Sequence, residues 1–182
     1  MKPARPIARA ANPGPAPHTG EIMRAVHVTS ERGLALVEVP RPPPPAADEV
    51  QVRIGCVALN HIDVWGWRGM AFANRQLPII AGAEAAGTVV KAGNAVSDLS
   101  EGDVVAMYGA HTCGTCRACR EGRDNFCEVL TGMYGFHIDG FLREYASTAR
   151  RKSAYWLDPA RRRDGSDHVR HRRAHAVRQC QA

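Results

Sequence analysis

The 182-residue sequence has no apolar run of about 18 residues, the length at which a helix can cross a bilayer, so we expect no membrane association. Residues 1–20 carry basic side chains but lack the apolar stretch of a secretory signal, which predicts a cytoplasmic protein. The pattern G-x-G-x-x-G, which places a dinucleotide pyrophosphate at a helix start, is absent from the whole sequence. These absences argue against a membrane protein, a secreted protein and a self-contained nucleotide-binding fold.

Large apolar side chains are missing from the last 25 residues. The segment 158–182 has no Leu, Ile, Phe, Met, Trp or Tyr, so it cannot contribute to a hydrophobic core and is predicted to be a disordered basic tail. Residues 150–182 hold ten Lys/Arg and three Asp/Glu, which accounts for the net charge of +6. Such a tail could contact nucleic acid, but no aromatic residue follows Trp156 to stack on bases, so nucleic acid is an unfavoured partner.

The N-terminal segment is also poor in core-forming residues. Residues 1–21 include five prolines, and we predict that 1–22 form a disordered extension. Met23 precedes the first strand-like pattern and is a candidate for the true start of the protein.

Short alternating apolar patterns separated by turn residues dominate the sequence between these segments. They predict a mainly β domain over residues 23–157, with the architecture of a partly open β-barrel and short helices. The clearest strand is 50–58, where Val50, Val52 and Ile54 alternate with polar residues. A short helical turn is predicted over 60–69. The other predicted strands are 23–28, 34–39, 87–93, 101–107 and 139–148.

The segment HTCGTCRACREGRDNFC, residues 111–127, contains four of the six cysteines. Their spacing is C-x2-C-x2-C-x7-C, which supplies four thiolates to one ion, as a closed structural zinc site requires. The ligands would be Cys113, Cys116, Cys119 and Cys127. Because all four positions would be filled by protein, such a site has no open position for substrate.

Three other uses of these thiols fit the sequence less well. Disulfides are disfavoured in a reducing cytoplasm, and a third cysteine at the same step does not match a thioredoxin-type pair. Iron–sulfur ferredoxin motifs have a shorter last gap followed by proline, whereas Glu128 follows here. The arginines at 117, 120 and 123 would either offset the charge of four thiolates or form a solvated face of the loop.

Residues 23–157 resemble the GroES-like catalytic domain of the medium-chain, zinc-type alcohol dehydrogenases. The resemblance rests on motifs that occur in order: VQVRIGCVALNHIDVWGWRG, LPIIAGAEAAGTVVKAGNAV, SEGDVVAM, CGTCRACREGRDNFC and IDGFLREY. It implies a zinc lobe over about 109–130 that holds one structural zinc ion, and an NAD(P)-dependent oxidoreductase. It also implies a small alcohol, carbonyl or enone substrate, and it leaves a homo-oligomer possible.

The sequence departs from the family where a catalytic zinc would be bound. Asn60 stands in place of the first cysteine ligand, and the family's Gly-His-Glu reads GAE, so Ala83 replaces the histidine and only Glu84 remains. One carboxylate cannot hold a catalytic zinc, which needs three protein ligands. We therefore predict that this chain binds no catalytic zinc.

The resemblance nevertheless places Asn60, His61, Asp63 and Glu84 in the active-site cleft. His61 would lie where a basic residue reaches the cofactor pyrophosphate, and Asp63 behind the reacting groups. Plainer interpretations exist: Asn60 as a helix cap, His61 as a surface residue and Asp63 as a first-turn acid favoured by the helix dipole.

The family's Rossmann domain is not recognisable after Leu157, and an abrupt change to Arg, His, Asp and Ala there is what a shifted reading frame or a truncated gene would give. We therefore expect the substrate-side domain of an NAD(P)-dependent oxidoreductase, inactive alone. The alternative is a zinc-stabilised binding module with a basic tail. A third possibility is an interaction role through apolar cleft surface that a cofactor domain would cover.

Overall fold

The computed structural model describes residues 20–69, 75–149 and the backbone of 154–156. The elements in chain order are β1 Ile22–Ser30, β2 Gly33–Pro40, β3 Glu49–Ala58, α1 His61–Trp67, β4 Ile79–Ile80, β5 Glu84–Ala92, β6 Val104–Met107, β7 Ala110–His111, α2 Arg117–Arg120, a 3₁₀ turn Asp124–Phe126, β8 Gly132–Met133, β9 Tyr145–Ala149 and β10 Ala154–Trp156.

The strands form three sheets. The largest has the order β10-β6-β5-β3-β9, a second has the order β2-β1-β4, and β7 pairs with β8 alone. Every strand ladder among the described residues is antiparallel. The described part of the chain therefore contains no parallel sheet of the kind that binds dinucleotides. No helix within it is long and apolar enough to cross a membrane.

The core lies against the five-stranded sheet. Val50 and Val52 of β3 are fully buried, as predicted from their alternation, and they pack with Val89, Val105 and other apolar side chains. The partner of β3 in the centre of the sheet is β5, and the ladder between them runs from Val50–Ala92 to Ala58–Glu84 with two irregularities. Burial of apolar side chains from these two strands forms the centre of the hydrophobic core.

The segment 139–144 joins the two larger sheets. The backbone N–H of Val26 in β1 donates to the carbonyl of Leu142 at 2.9 Å, and that of Ile54 in β3 donates to the carbonyl of Glu144 at 2.9 Å. Phe141, directly before Leu142, is fully buried. The predicted strand 139–148 is therefore wrong in its first half, because residues 139–144 bridge the sheets as a loop and only Tyr145–Ala149 form β9.

The proline-rich linker after β2 is held by a buried amide. Gln51 is 5% exposed, and its Nε2 donates to the carbonyls of Pro42 and Pro43 at 3.1 Å each. Proline has no backbone N–H to donate, so the linker is held through its carbonyl oxygens, which accept hydrogen bonds. Gln51 lies on the polar side of the predicted alternation and is buried because it serves this linker.

Most of the predicted elements are confirmed, as is the mainly β fold class. The strands 23–28, 34–39 and 50–58 lie within β1, β2 and β3, and the strand 87–93 lies within β5 except for its last residue. The second half of 101–107 is β6, and the helical turn at 60–69 contains α1. Very short elements (β4, β7, β8, β10, α2) were not predicted. The predicted extension 1–22 ends too late, because Ile22 already belongs to β1. Residues 1–19 and the basic tail 158–182 lie outside the described residues.

Two glycines in the central ladder provide a test of this packing. A Cβ on Gly87 would lie 2.3 Å from the Arg53 carbonyl oxygen, whereas a Cβ on Gly55 would meet nothing closer than 3.6 Å. We expect Gly87→Ala to lower the free energy of unfolding by about 1–3 kcal/mol, since backbone must move. The matched control Gly55→Ala should be neutral or slightly stabilising. Urea unfolding measures both, and equal effects would contradict the described ladder.

Candidate metal centre and cleft

The four clustered cysteines lie on a lobe that leaves the body between β7 and β8. At its base the Thr131 backbone N–H donates to the His111 carbonyl at 3.0 Å, and the Thr131 hydroxyl donates to the same oxygen at 2.7 Å. Cys113 lies two residues after the end of β7, and Cys127 directly follows the 3₁₀ turn. These short elements have few regular backbone hydrogen bonds of their own. We therefore expect the order of the lobe to depend on an ion that joins its four thiols.

The sulfur geometry fits one tetrahedral ion. All four Sγ atoms lie within 4.8 Å of one another, as the spacing predicts. The Sγ of Cys113 is 3.6 Å from that of Cys127 and 3.9 Å from that of Cys119. A Zn–S bond of about 2.3 Å gives an S···S edge of about 3.8 Å in a tetrahedron. Among the described residues this is the only cluster of three or more His, Cys, Asp or Glu that could hold a metal.

The backbone of the lobe supports thiolate at Cys113. Its Sγ accepts the N–H of Thr115 at 3.5 Å and of Cys116 at 3.3 Å, and these hydrogen bonds lower the pKa of Cys113 to about 6. Burial and the neighbouring thiols raise the pKa of Cys119 to about 12. Without a cation the four thiols therefore do not ionise together, whereas a divalent metal deprotonates the thiols that coordinate it.

The arginines of the lobe pair with a carboxylate. Arg117 Nε donates to Glu121 Oε1 at 2.7 Å, and Arg123 also donates to Glu121. These hydrogen bonds, that of Arg117 first, lower the pKa of Glu121. The side chain of Arg117 is 79% exposed, so such a pair adds little to stability. The contacts favour the solvated face over charge compensation of the thiolates.

The predicted cleft residues come together at a different place, where β3 leads into α1. Asn60 caps α1: its Oδ1 accepts the Ile62 N–H at 3.1 Å, and its own backbone N–H donates to Asp63 Oδ2 at 3.0 Å. Asp63 Oδ1 accepts the Ala83 N–H at 3.0 Å. One carboxylate thus ties the start of α1 to the residue that precedes β5.

Glu84 and His61 are placed by the same junction. Glu84 is the first residue of β5 and pairs with Ala58, two residues before Asn60. His61 is the exposed first residue of α1, with its ring centroid 6.0 Å from that of Trp65. The four residues predicted for the cleft therefore lie around one corner of the five-stranded sheet. The capping interpretation of Asn60 and the surface interpretation of His61 also describe these contacts correctly.

Burial dominates the electrostatics of Asp63. It raises the pKa of this carboxyl group, against the lowering effect of the backbone N–H groups of Asn60 and Ala83. The carboxylate is engaged on both oxygens by these donors.

The residues at this corner do not fit a catalytic zinc bound at the family's positions. The Asn60 oxygen is occupied by the helix cap, and Ala83 has no ligand atom, so Glu84 alone could coordinate. Three protein ligands are needed.

An apolar surface lies beside this corner, and the sequence predicted such a surface without assigning residues to it. Leu59 is 60% exposed, and Val64 and Trp65 of α1 are 40% and 43% exposed. His61, Val64, Trp65 and Arg68 are spaced i, i+3, i+4 and i+7, which places them on one solvent-facing side of the helix. That spacing was the available signal, but an apolar face on a short helix normally indicates core.

The comparisons with known proteins agree with this architecture. Residues 46–157 match the model of the alcohol dehydrogenase GroES-like domain. The chain belongs to this family.

The similar proteins include three dehydrogenases. L-threonine 3-dehydrogenase from Saccharopolyspora erythraea is 43% identical over 129 residues, which are 68% of this chain and 36% of that protein. A thermostable alcohol dehydrogenase from Pyrobaculum aerophilum matches with a TM-score of 0.65 and 33% identity, over 76% of this chain and 42% of that one. A structure described as a zinc-binding dehydrogenase from Sinorhizobium meliloti bound to NADP has a TM-score of 0.64 and 28% identity, over 77% of this chain and 40% of that one.

The chain thus spans between about a third and two fifths of the length of these relatives. The matched part corresponds to the GroES-like domain.

Zinc content gives a direct test of the metal centre. We expect one zinc ion per purified chain by elemental mass spectrometry, and loss of that ion in Cys127→Ser because the tetrahedron loses a thiolate. The control Cys180→Ser removes a cysteine outside the cluster and should keep the metal. Equal zinc content in both variants would contradict the assignment.

Removal of the metal should act locally. Structural zinc supplies about 10–16 kcal/mol to small zinc domains, and the lobe has few other contacts. After chelation we expect backbone amides of 113–130 to lose hydrogen-exchange protection while those of Val50 and Val89 keep it. Global loss of protection would show that the core also depends on the metal.

The raised pKa of Asp63 predicts a pH dependence of stability. A carboxyl with a raised folded pKa favours the protonated form, so its contribution is complete below the unfolded pKa of about 3.9 and is lost as pH rises through the folded value. As the pH rises from about 3.9 through the folded pKa of Asp63, the free energy of unfolding of the wild type should fall relative to that of Asp63→Asn. Urea unfolding at stepped pH measures the difference, and a gain of stability with rising pH would contradict it.

Proposed function

We propose that this chain is the substrate-side domain of an NAD(P)-dependent, zinc-containing oxidoreductase related to alcohol dehydrogenases, and that it is inactive alone. The observation that carries the proposal is the tetrahedral arrangement of four thiols on a lobe of a domain that the GroES-like family model matches. The Saccharopolyspora erythraea relative and the Pyrobaculum aerophilum structure are both dehydrogenases, and both are longer than this chain.

The zinc held by Cys113, Cys116, Cys119 and Cys127 would be structural. Four thiolates complete its coordination, so it cannot take a substrate oxygen. Its role is to order the lobe between β7 and β8. Because thiolates must stay reduced to bind it, we propose a reducing compartment such as the cytoplasm.

The reaction would be reversible hydride transfer. A nicotinamide would supply hydride chemistry when bound, with the substrate carbonyl carbon taking the hydride and its oxygen taking a proton to give an alcohol. In an enone the β-carbon would take the hydride and the α-carbon the proton. The described residues contain no sheet that could hold the nucleotide, so their contribution is limited to the cleft around Asn60, His61, Asp63 and Glu84.

Each of these residues would have a separate role. His61, exposed at the first position of α1, would provide a hydrogen-bonding contact for the cofactor phosphates. Asp63 would position the corner by its two accepted hydrogen bonds rather than transfer a proton. Glu84, at the start of β5, would face the cleft beside Ala83. The substrate would be a small alcohol, aldehyde, ketone or enone.

The requirement for a second domain is testable with a chimaera. The purified 182-residue chain should show no oxidation of NADH or NADPH with a panel of small aldehydes, ketones and enones. Fusion of residues 23–157 to the unmatched part of the Saccharopolyspora erythraea relative should restore oxidation, because that part would supply the nucleotide site. The same fusion with Asp63→Ala should be less active. Robust turnover by the chain alone would contradict the inactivity proposed here.

A further inference from the structure

Strand β2 lies at the edge of its sheet. The sheet has the order β2-β1-β4, so within the described part of the chain β2 has a hydrogen-bonded neighbour on one side only. The Arg41 N–H donates to the Glu21 carbonyl at 2.9 Å, at the open end of the β1–β2 ladder. Because hydrogen-bonded pairs alternate along an antiparallel ladder, the odd-numbered residues of β2 bond to β1. The N–H and carbonyl groups of Leu34, Leu36 and Glu38 therefore point away from β1.

The side chains along this edge include two exposed leucines. Leu34 is 57% exposed and Leu36 is 72% exposed, and they share one face of the sheet because they are two residues apart. Lysines and prolines commonly protect an edge strand from pairing, but none precedes Pro40 in β2. Outward-pointing backbone groups beside exposed leucines are suited to pairing with another β-strand.

Opposite charges flank the two leucines. Arg32 directly precedes β2 and Glu38 follows the leucines, and both residues are exposed. Arg24 faces Glu38 across the ladder, but its guanidinium bonds to Glu144 at 2.7 Å instead. Neither Arg32 nor Glu38 forms an ion pair with another described residue. The Arg32 backbone N–H donates to the Trp67 carbonyl at 2.7 Å, which holds this end of the hairpin against α1.

We propose that β2 pairs with β2 of a second copy of this chain, in an antiparallel, two-fold symmetric register centred on Ala35. Each Leu34 then faces Leu36 of the second copy, and each Arg32 faces Glu38. A register shifted by two residues in either direction places a leucine opposite a charged side chain. A parallel arrangement in register brings like charges together. The order of residues along β2 therefore favours this one arrangement.

The occupant of the edge is a second copy rather than an unrelated peptide, because β2 complements itself in both hydrophobicity and charge. The two leucine pairs exchange about four backbone hydrogen bonds. An interface of this size is at the low end of specific contacts, so the association is weak and depends on protein concentration. The inference does not use the proposed oxidoreductase function, and the two can fail separately.

The test is sedimentation velocity of the full 182-residue chain at about 5–500 µM, a range suited to weak association. Arg32→Glu and Glu38→Arg each bring like charges together when a variant pairs with itself. A mixture of these two variants restores both opposite-charge pairs. Leu36→Lys places a charge in the leucine row. The matched control is Ile22→Lys, since Ile22 is 65% exposed on the same sheet face but belongs to β1. Thermal unfolding checks that each variant is folded.

We expect the wild type to change from monomer to dimer across this range, and Ile22→Lys to behave in the same way. Leu36→Lys should remain monomeric. Arg32→Glu and Glu38→Arg should each associate roughly fivefold or more weakly than the wild type, because like charges directly opposite each other are destabilising. Their equimolar mixture should associate about as strongly as the wild type.

A wild type that stays monomeric throughout the range would overturn the proposal. Equal weakening by Ile22→Lys and Leu36→Lys would also overturn it, since contact would then depend on the whole sheet face and not on the edge. A dimer that none of the variants changes would place the interface elsewhere. Association of the mixture no stronger than that of Arg32→Glu or Glu38→Arg alone would refute the antiparallel register.

Discussion

The antiparallel ladder between β3 and β5 is the constraint on which the rest of the domain depends. Its middle supplies the fully buried side chains of the core, including Val52 and Val89. Its end, the pair Ala58–Glu84, brings two segments distant in sequence to the same corner. Asp63 can bond the Ala83 N–H only because this ladder sets the positions of α1 and of the residues before β5. Core and cleft are thus consequences of one strand pairing.

The cysteine cluster and the corner around Asp63 are separate structures with different physical origins. The cluster brings four thiols together because they lie within fifteen residues of sequence. The corner is formed by backbone N–H groups of separate segments that converge on one carboxylate.

Patterns among neighbouring residues predicted the features that depend on neighbouring residues. The alternation over 50–58 and the turn residues around it predicted β3, and the cysteine spacing predicted a cluster that the structure confirms. The segment 139–144 was predicted wrongly as the first part of a strand, because its backbone hydrogen bonds are divided between two sheets. Burial of Gln51 was not predictable either, since it serves acceptors on a linker eight and nine residues away. Such demands arise only when separate segments meet.

The sequence by itself determined the class of fold, the family and the four thiol ligands, because strand periodicity, motif order and ligand spacing are properties of neighbouring residues. Only the tertiary structure decided the second role of Asp63. The Ile62 N–H donates to the Asn60 oxygen in a local helix cap, whereas the Ala83 N–H donates to Asp63 and makes this residue a tie across the corner. No spacing along the chain encodes that choice of partner.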